Sequence, residues 1–278
     1  MTVGFIGTGN MATAIVRGVL SDGFLSAADI VVFDPDAAKR DALGDELGVR
    51  VAASNADLVE LADVVVLAVK PQVLPAVLTP LAAQIGDRRR VVVSIAAGTP
   101  LARIEELLAA GTTPATTGPR QAVVRVMPNV NAMIGAGMAA VCGNTAATAQ
   151  DVELVLGMFA AVGDAIELPE GQFSTFTAVA GSAPAFAYLF IDSLARGAVK
   201  AGMAKDLATR IAAQTVLGSA QMVLESDRTP WELIDTVCSP GGTTVAGLVA
   251  LEDRGFLATV VHGVTETIAR DQELAAGS

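Results

Sequence analysis

The sequence predicts an amino-terminal α/β domain, built on a doubly wound parallel sheet, followed by an all-α domain. In the first half of the chain, short apolar runs alternate with helix-like periodic stretches, which is the pattern of repeated βαβ units. Of these runs, Val64–Val69 is apolar throughout and Val91–Ile95 is apolar except for Ser94, as expected for parallel strands that helices cover on both faces. After about Pro169 the strand signals stop. We therefore expect residues 1–163 to form the α/β domain and residues 164–278 to form the helical domain.

The candidate strands and helices follow from this alternation. The short apolar runs predict strands at Thr2–Ile6, Ile30–Phe33, Val49–Val51, Val64–Val69, Val91–Ile95, Ala122–Val126, Met138–Val141 and Ala165–Leu168. Periodic stretches in the first half predict helices at Met11–Ser21, Ala37–Leu47, Ala56–Leu61, Leu101–Ala109 and Thr148–Val162. The second half predicts helices at Pro184–Gly202, Asp206–Leu224, Pro230–Thr236, Thr243–Glu252 and Phe256–Gln272. Many of these later helices are apolar on more than one face, which predicts that the chain oligomerises.

The first candidate strand runs directly into a glycine-rich turn and a helix. Gly7 permits the sharp turn, and Gly9 lets the backbone approach a phosphate with no Cβ in the way. The helix from Asn10 offers unpaired N–H groups and a positive dipole end to an anion. Ala12 takes the third small position of the pattern, which is an accepted variant. In this context we expect the pyrophosphate of a dinucleotide to bind here, the alternative being a purely structural turn.

The end of the second candidate strand bears on the choice of dinucleotide. A carboxylate at this place, Asp34, typically accepts hydrogen bonds from the adenosine ribose and repels a 2′-phosphate. That favours NADH. Lys39 and Arg40 follow closely and could instead reach a phosphate, or they form a solvated helix face. Both NADH and NADPH therefore remain candidate cofactors.

Further candidate cofactor contacts lie where later strands end, because these ends line the ligand crevice in open α/β sheets. Ala68–Pro71 closes the fourth strand, and Pro71 is expected to start the next helix. Lys70 either contacts the cofactor or is only solvated. Ala96–Gly98 ends the next strand, and its small residues would let a flat nicotinamide ring lie against the backbone. Asn55, which opens the helix after the third strand, is either the helix N-cap or a contact of the adenosine.

A second candidate anion site lies in the helical half, at Ser239–Thr244. A serine, two glycines and two threonines directly before a helix can form a nest of backbone N–H groups. The segment is too far along the chain to belong to the first phosphate site. A small carboxylate substrate would fit it, and the alternative is an ordinary helix cap after a loop.

Charge and residue usage argue against several function classes. The formal net charge of −11 argues against nucleic acid or an anionic membrane as a partner. The basic run Arg88–Arg90 is expected to be a solvated loop before a strand. Cys142 and Cys238 lack metal-like spacing, and the single histidine, His262, is expected to pack or lie at the surface. With no metal cluster or nucleophile motif, hydride transfer to an already protonated imine is a fitting reaction.

The most apolar stretch, Ala178–Leu194, raises the question of a membrane span. It contains Gly181, Pro184 and Asp192 and is shorter than a full span. A helix buried between subunits is the better interpretation. The first strand begins near Thr2, which leaves no room for a signal peptide, so we expect a soluble cytoplasmic protein.

Several segments, spread over essentially the whole length, carry a family resemblance. They are Gly4–Ala12, Ala68–Gln72, Arg125–Asn129, Gly181–Ala185 and Ser239–Leu248. With these segments the chain resembles a pyrroline-5-carboxylate reductase, the last enzyme of proline biosynthesis. The first two are shared with relatives such as the β-hydroxyacid-dehydrogenase-like enzymes. The Ser-Pro-Gly-Gly-Thr-Thr segment is the discriminating one.

The resemblance implies a Rossmann domain followed by a helical dimerisation domain, with dimers that assemble into larger rings. It implies that the chain binds the small molecule 1-pyrroline-5-carboxylate and reduces it with NADPH or NADH. The implied cofactor contacts are Ile6, Gly7, Thr8, Gly9, Asn10, Met11, Asp34, Asn55, Ala68, Val69, Lys70, Pro71, Ala96, Ala97 and Gly98. The implied substrate contacts are Ser239, Gly241, Gly242, Thr243 and Thr244. The threonine matching Thr244 hydrogen-bonds the ring nitrogen and is the candidate catalytic residue.

The sequence departs from the family pattern at a few places and leaves other functions open. The family commonly has proline where Asn131 stands, and it has Ser-Gly-Ser-Gly-Pro where Ala180–Pro184 reads Ala-Gly-Ser-Ala-Pro. Thr175 stands where the family frequently has aspartate. The alternative functions are reduction of a related cyclic imine or hydroxyacid, or a non-catalytic dinucleotide sensor.

Overall fold

The structure, a computed structural model, describes residues 1–111 and 121–276. Its contacts divide the chain into two compact units. The first comprises Met1–Gly181 with Ile268–Ser278, and the second comprises Ser182–Thr267. The first unit contains the sheet and the second contains helices, as predicted. The domain boundary expected after residue 163 stays a prediction.

Within the part of the chain that the structure describes, the first unit is built on one eight-stranded sheet with the order β3-β2-β1-β4-β5-β6-β7-β8. Neighbouring strands are parallel except β6 and β7, which are antiparallel. The strands are β1 Val3–Ile6, β2 Ile30–Phe33, β3 Arg50–Val51, β4 Val64–Leu67, β5 Val91–Ser94, β6 Ala122–Pro128, β7 Gly137–Gly143 and β8 Gly163–Glu167. Every predicted strand is confirmed, with some ends shifted by a few residues.

The helices of the first unit connect these strands. They are α1 Asn10–Ser21, α2 Ala37–Leu47, α3 Asn55–Leu61, α4 Leu74–Ile85, α5 Leu101–Ala110, α6 Ala149–Ala160 and the single turn α7 Phe173–Phe176. Helix α4 is the helix expected to start at Pro71; it begins at Leu74 instead, and its extent was not predicted. Pro75 lies in its first turn and Pro80 lies inside it, and proline is normally read as a helix breaker. The apolar residues Leu74, Leu78 and Ile85 nevertheless bury one face of this helix.

The sheet separates two apolar core layers. Val64 and Val66 of β4 pack into the layer that includes helices α1 and α6. Val65 and Leu67 of the same strand pack into the layer that includes α3, α4 and α5. Successive side chains of a strand point to opposite faces, so a strand that is apolar throughout supplies both layers. The strand order reverses between β2-β1 and β4, which places a ligand crevice at the carboxyl ends of β1 and β4.

The basic run Arg88–Arg90 is a loop before β5, as expected, and Arg88 and Arg89 are exposed, but the expectation of a solvated run is wrong for Arg90. Arg90 is 1% exposed, and its guanidinium donates to the carbonyl oxygens of Val59 and Ala62 and to that of Gln84. These carbonyls belong to the last turns of α3 and α4, where helices leave acceptors unsatisfied.

The two other arginines of the run form ion pairs. Arg88 pairs with Asp63 at 2.9 Å, and Arg89 pairs with Asp151 at 2.5 Å. Backbone Thr2 and the Arg88 guanidinium, in that order, lower the pKa of Asp63. The basic run therefore ties the sheet to its helices.

The second unit consists of helices. They are α8 Ala183–Lys200, α9 Lys205–Glu225, α10 Pro230–Val237, α11 Thr243–Asp253 and the larger part of α12 Phe256–Ala276. All five helices predicted for the second half are confirmed. A π-helical turn, Thr177–Ser182, leads from α7 into α8. Among the described residues of this unit, the buried apolar cluster consists of Ala195, Ala208 and Ala212.

One helical stretch in the described part of the chain, Glu170–Lys200, is long and apolar enough to cross a membrane by length and composition alone. A single such stretch is weak evidence for a membrane segment. It includes the ion pair between Arg196 and Asp192, and charged side chains are costly in a lipid environment.

Candidate active site

The turn after β1 has the backbone geometry that a glycine requires. Gly7 adopts a φ of 101°, and a Cβ there would lie 2.6 Å from the carbonyl oxygen of Ala68. Its N–H donates to the carbonyl oxygen of Phe33 at 2.8 Å. The turn is therefore fixed between β1, β2 and the end of β4, and no other residue fits at position 7 without strain.

The start of α1 is open towards an anion. Gly9 is the N-cap residue, and α1 has no side-chain cap on its first-turn N–H groups. A Cβ on Gly9 would meet nothing within 4 Å. Free space therefore lies in front of uncapped N–H groups at the positive end of a helix dipole, which is the arrangement that binds phosphate.

Asp34 ties the glycine turn to the end of β2. Its Oδ2 accepts a hydrogen bond from Thr8 N, and its Oδ1 accepts one from Asp36 N, each at 2.9 Å. Lys39 pairs with Asp36 at 3.1 Å, and this contact lowers the pKa of the Asp36 carboxyl. Arg40 pairs with Asp41 at 2.7 Å. The expectation that Asp34 disfavours a 2′-phosphate stays a prediction.

Asn55 does not cap α3, so that alternative is wrong. The N-cap is Ser54, whose side chain accepts a hydrogen bond from Asp57 N at 3.0 Å. The Asn55 Oδ1 atom is instead buried, as is the Thr8 Oγ1 atom, and neither has a hydrogen-bond partner among residues 1–111 and 121–276. Buried polar atoms without partners are rare and costly. Both residues belong to the predicted cofactor set, so a dinucleotide that bonds them would remove this cost.

One cavity of about 330 Å³ opens at the carboxyl ends of the strands. Nine residues of the predicted cofactor set line it, namely Gly9, Asn10, Met11, Ala68, Val69, Lys70, Pro71, Ala96 and Ala97. The remaining predicted contacts, Ile6, Gly7, Thr8, Asp34, Asn55 and Gly98, lie outside its lining. Ile6 is 2% exposed and packs in the core. Cavities of this size hold part of a small-molecule ligand.

Four lining residues are missing from the predicted set. They are Ala12, Ile95, Met127 and Pro128. Met127 and Pro128 end β6, so the strand-end argument applied to β4 and β5 would have identified them too. The cavity thus joins the glycine turn to three successive strand ends, β4, β5 and β6. Together with the two orphaned polar atoms, this arrangement fits an extended dinucleotide.

The Ser239–Thr244 segment is a tight turn at the start of α11. Gly242 N donates to Ser239 O at 2.9 Å, and Gly241 adopts a φ of 70°. A Cβ on Gly242 would lie 2.4 Å from Ser239 Oγ and 3.0 Å from Ser239 O, so a larger residue here would make the Ser239 side chain shift. Helix α11 has Gly242 as its N-cap and no side-chain cap. The hydroxyl-bearing residues Ser239, Thr243 and Thr244 are exposed within this unit.

His262 was expected either to pack or to lie at the surface, and it lies at the surface. Its side chain is 74% exposed, and Nδ1 lies 3.8 Å from the Glu266 carboxylate. Among residues 1–111 and 121–276, no group of three or more His, Cys, Asp or Glu side chains could hold a metal ion.

Comparisons with known proteins agree with this geometry. Residues 170–274 match the family model for pyrroline-5-carboxylate reductase dimerisation. Residues 2–98 match the model described as NADP oxidoreductase, coenzyme F420-dependent. A pyrroline-5-carboxylate reductase from Synechocystis is 39% identical over 98% of this chain and 97% of its own length.

Solved structures give the same result. The pyrroline-5-carboxylate reductase of Coxiella burnetii has a TM-score of 0.91 at 31% identity, over 98% of each chain. The pyrroline carboxylate reductase of Plasmodium falciparum, solved with NADP bound, has a TM-score of 0.83 at 28% identity, over 99% of this chain and 98% of its own. The chain belongs to the pyrroline-5-carboxylate reductase family.

Proposed function

We propose that this member of the pyrroline-5-carboxylate reductase family reduces 1-pyrroline-5-carboxylate to L-proline, with NADPH or NADH as the hydride donor. The observation that carries the proposal is the cavity at the strand ends, because it joins the glycine turn to the ends of β4, β5 and β6. Family membership supports the choice of substrate. The bound nicotinamide would supply the hydride that reduces the imine carbon.

The first unit would hold the cofactor by its backbone and by two side chains. The uncapped N–H groups at the start of α1 would bind the pyrophosphate. The Thr8 hydroxyl would donate a hydrogen bond to it or accept one, and Asn55 Oδ1 would accept one from it. Ala96 and Ala97 present little side chain to the cavity, which leaves room for a flat ring.

The second unit would hold the substrate through the Ser239–Thr244 turn. The N–H groups at the start of α11 suit a carboxylate, and the Thr244 hydroxyl would hydrogen-bond the ring nitrogen. A protonated imine already carries its proton, so the reaction requires no general acid. Catalysis would then come from orientation of the imine carbon and from stabilisation of charge, both supplied by fixed groups.

The chain is proposed to act as a homo-oligomer through residues 170–274, the part that matches the dimerisation family model. Dimers would assemble further into a ring. We also propose a cytoplasmic enzyme without nucleic-acid or membrane partners, because the net charge is −11 and the proposed subunit contacts would cover the apolar helix faces.

A spectrophotometric assay tests the function. Purified protein is mixed with 1-pyrroline-5-carboxylate and either NADH or NADPH, and the loss of the reduced-nicotinamide absorbance is followed. We expect steady turnover and L-proline as product, with the ratio of the two rates giving the cofactor preference. A panel with six-membered cyclic imines and hydroxyacids serves as the control. Turnover of a panel member in preference to the pyrroline, or no turnover at all, would refute the proposal.

A further inference from the structure

The carboxylate of Glu170 joins three segments of the first unit. Its Oε1 atom accepts a hydrogen bond from Leu101 N at 2.7 Å and one from Arg125 Nη1 at 2.9 Å. Leu101 is the first residue of α5, Arg125 lies in β6, and Glu170 opens a short 3-10 turn after β8. These segments are distant in sequence, so this carboxylate ties them together only in the folded unit.

The guanidinium of Arg125 depends on this contact. Arg125 is 9% exposed, and its Cζ lies 4.5 Å from the ring centroid of Phe173, which is 1% exposed. The ring face offers a cation some stabilisation. A buried guanidinium nevertheless needs a counter-charge, since removing one partner of a buried ion pair is strongly destabilising. Glu170 supplies that charge to β6.

The same carboxylate also completes the start of α5. The N-cap residue of this helix, Pro100, has no side chain that can accept from the first-turn N–H groups. Glu170 accepts from Leu101 N instead, and its negative charge lies at the positive end of the helix dipole. The start of α5 is thereby fixed to β6.

The segment between β5 and α5 is therefore held at both ends. Hydrogen bonds of the sheet hold its first end, including that from Ile95 N to Leu67 O at 3.2 Å. The contact between Glu170 and Leu101 holds its second end. Ala96 and Ala97 in this segment line the cofactor cavity, whereas Glu170 is not among the lining residues.

We propose that Glu170 is a positioning residue for the nicotinamide end of the cofactor. It fixes residues 95–100 through Leu101 and so sets the wall of the cavity against which the ring lies. This inference rests on the proposed function of the cavity. Glu170 is the first residue of the segment that matches the dimerisation family model, and the proposal gives it a role in the cofactor site of its own chain.

The test compares intact cofactors with fragments that lack the nicotinamide. Glu170→Gln keeps the shape of the side chain but removes its charge. We expect it to weaken NADPH or NADH binding by about tenfold and to leave 2′-phospho-ADP-ribose and ADP-ribose within about twofold of wild type. The value of kcat should fall, and the isotope effect with 4-deuterated cofactor should rise because hydride transfer limits the rate more strongly. Glu167→Gln, an exposed residue of β8, is the matched control and should change none of these values.

The outcomes separate the possibilities. Equal weakening of cofactors and fragments would show a general loss of structure and overturn the proposal, as would no change in either. If Glu170→Gln does not fold, the double variant Arg125→Met with Glu170→Gln leaves no unpaired buried charge and should give the same binding split. The binding measurements require no turnover, so a failure of the proposed reaction would leave them interpretable.

Discussion

The two units of the chain bury their apolar residues in opposite ways. The first unit closes two large core layers around its sheet, in which residues such as Phe5, Val66 and Leu78 are fully buried. The second unit buries three alanines among its described residues, while Tyr188 and Leu189 on α8 are 60% and 68% exposed. Exposed apolar surface on this scale marks an interface.

This difference shows which contacts stabilise each unit. A sheet with helices on both faces buries its apolar surface against residues of the same chain. Helices that are apolar on several faces bury those faces only when further protein covers them. The first unit is thus complete as a cofactor-binding body, whereas the second completes its core in the oligomer.

A charge on an exposed apolar face is the strongest test of this comparison. Leu189→Glu should dissociate the oligomer and abolish activity, because a carboxylate buried in an apolar interface costs several kcal/mol, roughly 3–5 when unpaired. Light scattering and thermal unfolding measure the effect. The matched control is Leu61→Glu on α3 of the first unit, where Leu61 is 46% exposed, and the oligomer should persist. An active, monomeric Leu189→Glu variant would contradict the interpretation.

Substitutions in the Ser239–Thr244 turn of the second unit, which we propose binds the substrate, should lower turnover without weakening cofactor binding. Thr244→Ala removes one hydrogen bond to a charged group, worth roughly 1.5–3 kcal/mol, so kcat/KM for the imine should fall about tenfold to a hundredfold. Thr244→Ser should restore much of this loss, and Thr215→Ala on α9 serves as the control. Equal losses in NADPH binding and in turnover would show that Thr244 does not act on the substrate.

The glycine turn of the first unit should show the reverse pattern. Gly9→Val places a side chain in open space, so the fold should persist while the pyrophosphate is obstructed. Cofactor affinity should drop at least about tenfold, as measured by fluorescence titration, with the temperature of unfolding nearly unchanged. If the folded Gly9→Val variant binds the cofactor with unchanged affinity, the pyrophosphate does not bind at this turn.

The smallest expected effect is on the stability of the first unit and comes from the Asp151 carboxylate of α6. Burial acts to raise the pKa of Asp151, but hydrogen bonds from Arg89 and Thr148 outweigh it and lower the pKa below 3.8. Its stabilising contribution is therefore present above the unfolded value and is lost as the pH falls through the lower folded value.

Asp151→Asn should cost about 1–2 kcal/mol at neutral pH, and the difference from wild type should vanish in strong acid. Thermal unfolding from neutral to acid pH measures this. Asp192→Asn on α8 is the matched variant. Asp192 pairs with Arg196 and Lys205 at the surface, where such pairs contribute little. A larger loss of stability for Asp192→Asn than for Asp151→Asn would contradict this prediction.

Regular elements were predictable because their signals are local. The apolar runs of β4 and β5 and the glycine turn at Gly7 each lie within a few residues of sequence, and the structure forms them as expected. The extent of helix α4 was not predicted, and Pro80 lies inside it. Its stability comes from tertiary burial of Leu78 and Ile85, which no local pattern shows.

Contacts that join distant segments were not predictable in the same way. Arg90 read as part of a basic surface run, yet it satisfies carbonyl groups of two helices. Ser54 rather than Asn55 caps α3, and adjacent residues of cap-forming type cannot be ranked from sequence. The contact from Glu170 to Leu101 spans 69 positions, so it follows from the fold and not from a motif.

The three-alanine core of the second unit has a consequence for a newly synthesised chain. Ribosomal synthesis delivers the sheet-forming residues first, and their βαβ units can fold while the later helices are still being made. The helices then emerge with their apolar faces exposed and remain so until a second copy arrives. Maturation of the enzyme is therefore bimolecular, and chains made at low abundance spend longer as targets for chaperones and proteases.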